Sequence, residues 1–308
     1  MQTATPDFDD HVQPFQIEAP GLRGRLVRLG PAIEAALGRH DYPPCVATLM
    51  AETLALGAVL ASGLKYDGIF TLQLQGDGPV PLMVADVVSD GALRGYARFL
   101  PERLPAGQAS SRVSVPHLLG NGHLAFTVDQ GAGTDRYQGI TALEGATLSE
   151  CAHTYFRHSE QLQTAIRLCT SDMSAPASPP RAAALMLQRL PPPSNFDVSG
   201  VDPDDADDNW RRAVIMMSSA TFGELLSDEI SSQQLLYRLF HEDGVRIFRR
   251  RAFRWQCRCS RQRVLRMLGL LPAAEVAELA ENGVITVTCE FCKTSYAVDQ
   301  QMLSSPSA

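Results

Sequence analysis

Four of the seven cysteines lie in the last quarter of the chain, and their spacing favours a metal site. They form two close pairs, Cys257-Arg-Cys259 and Cys289-Glu-Phe-Cys292, separated by 29 residues. Each pair can chelate from one short stretch of chain, and a small fold between them can bring both pairs to one tetrahedral zinc ion. Because four thiolates fill the zinc shell and leave no position for water or substrate, the pattern predicts a metal that is not catalytic.

Two other interpretations of these cysteines stay open at this level. The four could be unligated buried thiols, or Cys289 and Cys292 could form a thioredoxin-like redox motif. In that motif the second cysteine begins a helix, whereas the residues that follow Cys292, Lys293–Val298, have the character of a strand. A strand after Cys292 would therefore argue against a thiol oxidoreductase.

The segment between the two cysteine pairs is small. Leu265–Leu279 has a helical pattern broken at Gly269 and Pro272, and Asn282-Gly283 predicts a turn into the strand Val284–Thr288. So short a segment cannot hold a good core unaided. A structural zinc ion would supply much of its folding energy, about 10–16 kcal/mol.

The Cys257-x-Cys259 pair also suggests sensitivity to oxidants. A disulfide across one residue closes a very small, strained ring, and strained disulfides are the labile, regulatory kind. Arginines crowd this part of the sequence: Arg246, Arg249, Arg250, Arg251, Arg254, Arg258, Arg261, Arg263 and Arg266. Cationic neighbours and zinc both hold cysteine as thiolate, the form that oxidants attack. The resulting hypothesis is that oxidation removes the ligands, zinc leaves, and the small domain loosens.

The same arginines permit another interpretation. The Arg246–Arg266 segment could be a nucleic-acid-binding patch on a zinc ribbon, with an affinity that falls as salt rises. The whole chain, however, has a net charge of −7 and a pI near 5.5, which argues against a protein built throughout to coat nucleic acid or anionic lipid.

Upstream of this region, the first 195 residues favour a mixed α+β domain. Strand patterns outnumber β-α-β alternations, and the turn at Gly76–Pro79 separates two strands of a hairpin, so we expect a largely antiparallel sheet. A long helix is predicted over Cys45–Leu60, with Gly63 as its C-terminal cap. Other strand patterns cover residues 22–29, 70–75, 80–85, 93–99, 123–128, 136–142, 164–170 and 184–190, and a second helix is predicted over 147–157.

Residues 196–250 differ in composition from the first 195 residues, and this change predicts a linker. Six aspartates lie between 197 and 208, which predicts a solvated connection, and a helical pattern runs from Trp210 to Phe240. Thr221-Phe-Gly-Glu224 and Ser231-Ser-Gln-Gln234 both have the form of a capping box. The helices carry much apolar surface, and we expect them to pack on their neighbours, because short helices are marginal alone.

Several function classes are excluded or disfavoured. The acidic N-terminal stretch is not a signal peptide, and the most apolar run, Leu54–Ala61, is far shorter than a membrane span. There is no glycosylation sequon, P-loop, zincin motif or Gly-x-Ser-x-Gly elbow. These features predict a cytoplasmic protein that is not an enzyme and binds no membrane.

Motifs along most of the chain resemble those of the heat shock protein 33 family. In the N-terminal part they are Tyr155-Phe-Arg-His-Ser-Glu-Gln161, Gln75-Gly-Asp-Gly-Pro79, Arg94-Gly-Tyr-Ala97 and Arg136-Tyr-Gln-Gly139. In the C-terminal part they are Cys257-x-Cys259-Ser-Arg261 and Cys289-Glu-Phe-Cys292, with Tyr296 close behind. The similarity extends from about residue 20 to about residue 300.

The resemblance implies a redox-regulated holdase chaperone of the bacterial cytoplasm. The reduced form would be an inactive monomer with one Zn²⁺ on Cys257, Cys259, Cys289 and Cys292. Oxidation would pair Cys257 with Cys259 and Cys289 with Cys292, release the zinc and unfold the linker. The oxidised protein would dimerise and hold unfolded client proteins without ATP.

The resemblance also implies three regions: an N-terminal α+β domain over 1–195, an acidic tract with a helical linker over 196–250, and a C-terminal zinc-binding domain over 251–308. Residues 1–15 lie outside the similarity, and we expect them to be a disordered extension. The remaining cysteines, Cys45, Cys151 and Cys169, lie on predicted elements and are expected to be small buried hydrophobes.

Overall fold

The computed structural model describes residues 9–18, 21–104, 113–131, 134, 136–157, 162–175, 178–189 and 203–304. The chain divides into two compact units, Met1–Trp255 and Gln256–Ala308. Both combine helices with antiparallel strands, so the predicted α+β class is confirmed.

Two six-stranded sheets form the first unit. The first sheet has the order β10-β1-β2-β9-β8, with β11 also paired to β1, and the second has the order β12-β5-β4-β3-β6-β7. All pairs are antiparallel except the short one between β12 and β5. The strands are β1 (His11–Ile17), β2 (Leu22–Leu29), β3 (Ile69–Gly76), β4 (Leu82–Val88), β5 (Ala92–Arg98), β6 (Gly122–Asp129), β7 (Tyr137–Ala142), β8 (Thr164–Thr170), β9 (Ala182–Arg189), β10 (Val245–Ile247), β11 (Arg251–Ala252) and β12 (Arg254–Trp255).

The long helix α2 (Pro44–Ser62) packs against strands of both sheets and forms the centre of the main core. By length and composition alone it could cross a membrane, which the short apolar run Leu54–Ala61 did not indicate, but 89% of its apolar window is buried inside the protein. A helix with protein on every side needs no polar face, and this explains its uniform hydrophobicity. Gly95 of β5 lets the helix approach closely, because a Cβ at this position would lie 2.9 Å from the backbone O of Val84 and 2.6 Å from Cε of Met50.

Shorter helices complete the α+β layer. These are α1 (Pro31–Leu37), α3 (Val115–Leu119) and α4 (Leu148–Tyr155), with a 3₁₀ turn at Pro101–Arg103. Thr147 caps α4 by accepting the N–H of Glu150.

The linker region contains α5 (Pro203–Ser219), α6 (Phe222–Leu225) and α7 (Ser232–Phe240), followed by a 3₁₀ turn at His241–Asp243. Both predicted capping boxes are present, at the starts of α6 and α7. Helix α5 begins inside the acidic tract that the sequence predicted as a solvated connection, because proline and acidic residues are both favoured in a first helical turn.

The linker helices pack on the face of the first sheet that α2 does not cover, as their apolar pattern predicted. This second core holds sheet residues such as Phe15 and Leu26 together with helix residues such as Met217, Leu236 and Phe240. The rings of Phe15 and Phe240 stack with their centroids 5.6 Å apart. The helices therefore cover a continuous apolar surface of the sheet.

The expectation that residues 1–15 are disordered is wrong for residues 11–15. These residues belong to β1, which lies between β2 and the short strands β10 and β11. Val12, Phe15 and Ile17 are buried. Pro14 obscured the strand in the sequence, and only pairing with distant strands stabilises it. Residues 1–8 lie outside the described part of the chain.

The Arg-rich segment does not belong wholly to the C-terminal unit. Residues 245–255 form β10, β11 and β12, which pair with strands of the first unit, and the second unit begins at Gln256 where the sequence suggested residue 251. Strands of two or three residues have no periodic signal of their own, so this pairing could not be seen in the sequence.

The second unit consists of α8 (Arg261–Leu268), α9 (Ala273–Leu279), the hairpin of β13 (Val284–Thr288) and β14 (Ser295–Asp299), and α10 (Gln301–Ser304). The predicted turn at Asn282-Gly283 is present, with positive φ at both residues. The fully buried core is small and comprises Val264, Leu268, Val276, Ile285 and Val298. One predicted feature, Ser159–Gln161 of the family motif, lies outside the described residues.

Candidate metal centre

The four predicted ligands come from two loops of the second unit. Cys257 and Cys259 lie just before α8, whose N-cap Ser260 accepts the N–H of Arg263. Cys289 and Cys292 lie in the loop of the β13–β14 hairpin, where the N–H of Cys289 donates to Thr294 O and the N–H of Lys293 donates to Cys289 O. Lys293 has a φ of 56°, which turns the chain tightly around the second pair.

The fold brings all four sulfur atoms together, within 4.8 Å of one another. Two of the contacts join the two pairs: Cys259 Sγ lies 3.3 Å from Cys292 Sγ, and Cys257 Sγ lies 3.7 Å from Cys289 Sγ. All seven cysteines are free thiols. Within the residues that the structure describes, this is the only group of potential ligands close enough to hold a metal ion.

Burial disfavours ionisation of two of the clustered thiols. It raises the pKa of Cys259 to about 12, and the neighbouring sulfur atoms of Cys292 and Cys257 add to the rise. Burial also raises the pKa of Cys289. Burial alone would raise the pKa of Cys292 as well, but hydrogen bonds to Thr294 lower it to about 6. Cys259 and Cys289 would therefore need a nearby cation to be held as thiolates.

The donor set suits a soft or borderline divalent metal. Four sulfur ligands that surround one point form a closed site, the arrangement of structural zinc centres. A small core of five buried residues could not hold the unit firmly, so a metal would contribute directly to its folding. The four cysteines could thus hold a metal ion, as their spacing predicted.

Two hydroxyl groups next to the sulfur atoms were not identified as partners from the sequence. The Tyr296 hydroxyl lies 3.1 Å from Cys259 Sγ, and the Thr294 hydroxyl lies 3.3 Å from Cys292 Sγ. Tyr296 is on β14, opposite Val287, and the turn of the hairpin returns its ring toward the first cysteine pair. The hydrogen bond to Cys259 raises the pKa of Tyr296 to about 12, so this hydroxyl stays protonated and can donate to a thiolate.

Replacement of Tyr296 by phenylalanine is therefore expected to weaken metal binding without unfolding the unit. The ring packs at the edge of the small core and is retained, while the donor to Cys259 is lost. Loss of an outer-shell partner typically lowers metal affinity about tenfold or more. Chelator competition with Zn²⁺ measures this, with the exposed Tyr237 replaced by phenylalanine as the matched control. An unchanged affinity would show that the hydroxyl does not support the site.

Five of the nine arginines in the Arg246–Arg266 segment belong to the first unit, and the sequence suggested that all nine lie around the cysteines. Arg246 pairs with Glu18 at 2.7 Å, Arg254 pairs with Asp90, and Arg251 donates to Ser62 O, all within the first unit. The largest influences on the thiol pKa values are burial, neighbouring sulfur atoms and the hydroxyl and backbone donors. The expectation that arginines hold these cysteines as thiolates is therefore not supported. The boundary between the two units also falls within Arg246–Arg266, the segment that the alternative interpretation assigns to nucleic-acid binding.

The structure lacks the helix that a thioredoxin-like motif requires directly after its second cysteine. Cys292 is followed by the strand β14 and not by a helix.

The other three cysteines are buried, as predicted. Cys45, Cys151 and Cys169 are at most 2% exposed and belong to the cores of the first unit. Burial raises the pKa of Cys45, that of Cys151 to about 11 and that of Cys169 to about 12, which keeps these thiols protonated and unreactive.

Comparisons with known proteins agree with this architecture. A family model described as Hsp33 protein matches residues 10–299. The 33 kDa chaperonin of Caulobacter vibrioides is 40% identical over 305 residues, which cover 97% of this chain and 99% of the relative. The 33 kDa chaperonin of Pseudomonas fluorescens (strain Pf0-1) is 37% identical over 294 residues, covering 94% and 91% of the two chains.

A solved structure has the same fold. The crystal structure of a 33 kDa chaperonin from Thermotoga maritima, a heat shock protein 33 homolog, matches with a TM-score of 0.77 over 96% of this chain and 97% of that chain, at 21% identity. The resemblance seen in the sequence motifs is confirmed by the family model, which spans both units. The chain belongs to the Hsp33 family.

Proposed function

We propose that this protein is a redox-regulated, ATP-independent holdase chaperone of the cytoplasm. In the reduced monomer, Cys257, Cys259, Cys289 and Cys292 hold one Zn²⁺, which stabilises the second unit. Oxidation forms the Cys257–Cys259 and Cys289–Cys292 disulfides, and the zinc leaves. The linker helices then leave the first sheet, and the exposed apolar surface of the dimer binds unfolded proteins. The convergence of four sulfur atoms within 4.8 Å, in a chain of this family, carries the proposal.

Three features of the molecule support the coupling of metal loss to exposure. The second unit has a core of only five fully buried residues, so a metal contributing about 10–16 kcal/mol would dominate its stability. The linker helices conceal the apolar face of the first sheet. Between α7 and Cys257 the chain forms only the short strands β10, β11 and β12, of two or three residues each.

Each oxidation step transfers two electrons. A cysteine thiolate attacks hydrogen peroxide, the O–O bond breaks to give a sulfenic acid and hydroxide, and the neighbouring thiolate displaces a second hydroxide as the S–S bond forms. Protons convert the hydroxides to water. Two disulfides remove all four thiolates, and disulfide sulfur is a poor ligand for zinc.

The direct test treats reduced, zinc-loaded protein with hydrogen peroxide under mild heat and measures zinc release and light scattering of a thermally unfolding reporter enzyme. We expect both zinc release and suppression of aggregation, and neither in the reduced protein. Replacement of Cys45 by alanine is the matched control, since it removes a thiol outside the cluster. If zinc leaves and aggregation continues unchanged, the chaperone function is wrong.

A further inference from the structure

Three arginines of the first unit converge near the end of helix α2 without a carboxylate partner. Arg23 and Arg25 lie two residues apart on the same face of β2, and Arg251 lies on β11, across β1 from Val27. In the described ranges of the chain, none of the three guanidinium groups forms an ion pair, although the protein carries a net charge of −7. Arg246 shows the contrast, because it pairs with Glu18.

Part of this positive charge is buried without a hydrogen-bond acceptor. Nε and Nη1 of Arg25 and Nε of Arg23 are shielded from solvent and have no partner. The Arg25 guanidinium lies against Gly63, where a Cβ would be 3.6 Å from its Cζ. Burial, together with the charges of Arg23 and Arg251, lowers the pKa of Arg25 to about 10. Buried donors without acceptors are rare in native proteins and call for a ligand or an ion.

The end of helix α2 does not account for these groups. An arginine at a helix C-terminus can cap the last carbonyl groups, but the last four carbonyls of α2 already have donors within the structure. Those donors are the Ser62 hydroxyl to Val59 O, the Gly63 N–H to Leu60 O, the Leu64 N–H to Ala61 O, and Arg251 Nη2 to Ser62 O. The charge of Arg25 therefore lies near the end of α2, but no carbonyl group of the last turn remains for it to cap.

An open cavity of about 600 Å³ adjoins the cluster. Arg251 and Lys65 line it, and Ser62 and Ser89 contribute hydroxyl groups. The cavity wall also includes Asp90, but that carboxylate is already bonded to Arg254, so the wall keeps a positive balance. Arg23 faces a neighbouring, mainly apolar cavity.

We infer that Arg251 and Lys65, on the wall of the cavity of about 600 Å³, form a binding site for a multiply charged oxyanion of the phosphate class, with the charges of Arg25 and Arg23 close behind it. Guanidinium groups bind phosphate oxygens through paired N–H donors. A bound oxyanion would accept hydrogen bonds from Arg251 and Lys65 and would neutralise the mutual repulsion of the three arginines. The site lies in the first unit, and the inference does not depend on the proposed redox function.

The test uses the reduced, zinc-loaded full chain and inorganic phosphate at constant ionic strength. Titration calorimetry is expected to show saturable binding, and phosphate is expected to raise the thermal midpoint of the first unit above that in chloride. Arg25→Met and Arg251→Gln should each weaken phosphate binding at least about tenfold. Arg211→Met, which removes one exposed charge elsewhere, should bind as the parent does.

The stability of Arg25→Met without phosphate separates a binding role from a packing role. If Arg25 is an unpaired charge awaiting a ligand, methionine should raise the thermal midpoint in phosphate-free buffer, because it removes buried repulsion. A lowered midpoint would assign Arg25 to packing against α2 and overturn the inference. So would the absence of saturable phosphate binding, equal binding by Arg25→Met, or equal affinity for acetate.

Discussion

Cys292→Ser is expected to abolish tight zinc binding and to unfold the second unit while leaving the first intact. Cys292 is the most buried of the four ligands, at 6% exposure, and the one whose thiolate Thr294 favours. Serine oxygen is a poor zinc ligand at neutral pH. We expect the affinity to fall by more than about 100-fold, the upper end of what loss of an outer-shell partner costs.

The second unit should then lose its fold, because its five-residue core is too small to replace the metal. Zinc stoichiometry measures the first effect, and loss of NMR chemical-shift dispersion for residues 256–304 measures the second. Replacement of Cys45 by alanine is again the matched control, since Cys45 lies in the core of the first unit. A variant that retains one tightly bound zinc would contradict the four-thiolate site. Loss of zinc with a folded second unit would contradict the coupling.

Arg28→Met is expected to release the linker without any oxidant. Arg28 lies on β2 and is fully buried, and its guanidinium donates to Ile230 O at 2.7 Å and to Glu224 O at 2.8 Å. Next to it, His11 Nε2 lies 2.9 Å from the Ser232 hydroxyl at the start of α7. These contacts hold α6 and α7 on the sheet at one place.

Charged hydrogen bonds of this kind contribute about 1.5–3 kcal/mol each, so loss of two should cost on the order of 3–6 kcal/mol. Methionine retains much of the apolar volume. Arg181 also contacts the linker, at Leu226 O and Asp228, but this contact is partly exposed and most of the linker core is apolar. We therefore expect the linker to be released before the rest of the unit unfolds. The reduced, zinc-loaded variant should therefore suppress aggregation of the reporter enzyme.

Hydrogen exchange measures the release directly. Amides of residues 222–240 should lose protection in reduced Arg28→Met, while those of β3 and β6 in the second sheet should keep it. Arg211→Ala is the control, because its ion pair with Asp208 is exposed and contributes little. If 222–240 remain as protected as in the parent, Arg28 does not hold the linker. If β3 loses protection too, the variant has unfolded globally and the linker is not a separate unit.

Local patterns were enough to predict much of the second unit and the linker. The two cysteine pairs, the Asn282-Gly283 turn and the capping boxes at Thr221 and Ser231 are each written within a few residues, and the structure confirms all of them. The helix α2 was also recognisable, since its apolar pattern and Gly63 are local.

The pairing of strands that are distant in the chain could not be predicted from the sequence. Strands β10, β11 and β12 have two or three residues each and gain their stability from distant partners. The sequence therefore groups the whole Arg-rich segment with the cysteines, although five of its nine arginines belong to the first unit. Residues 11–15 were missed for the same reason. The contact of Tyr296 with Cys259 joins residues 37 positions apart, and no spacing rule predicts it.

The sequence by itself therefore determined the family and the chemistry of the candidate metal site, because ligand type and spacing are local properties of the chain. The tertiary structure decided what surrounds that chemistry: which arginines find carboxylates, which apolar face the linker hides, and which side chains hold the linker in place. Arg28 shows the reason. Its partners lie about 200 positions away, and only a folded sheet can bring a buried charge to the two carbonyl groups that it needs.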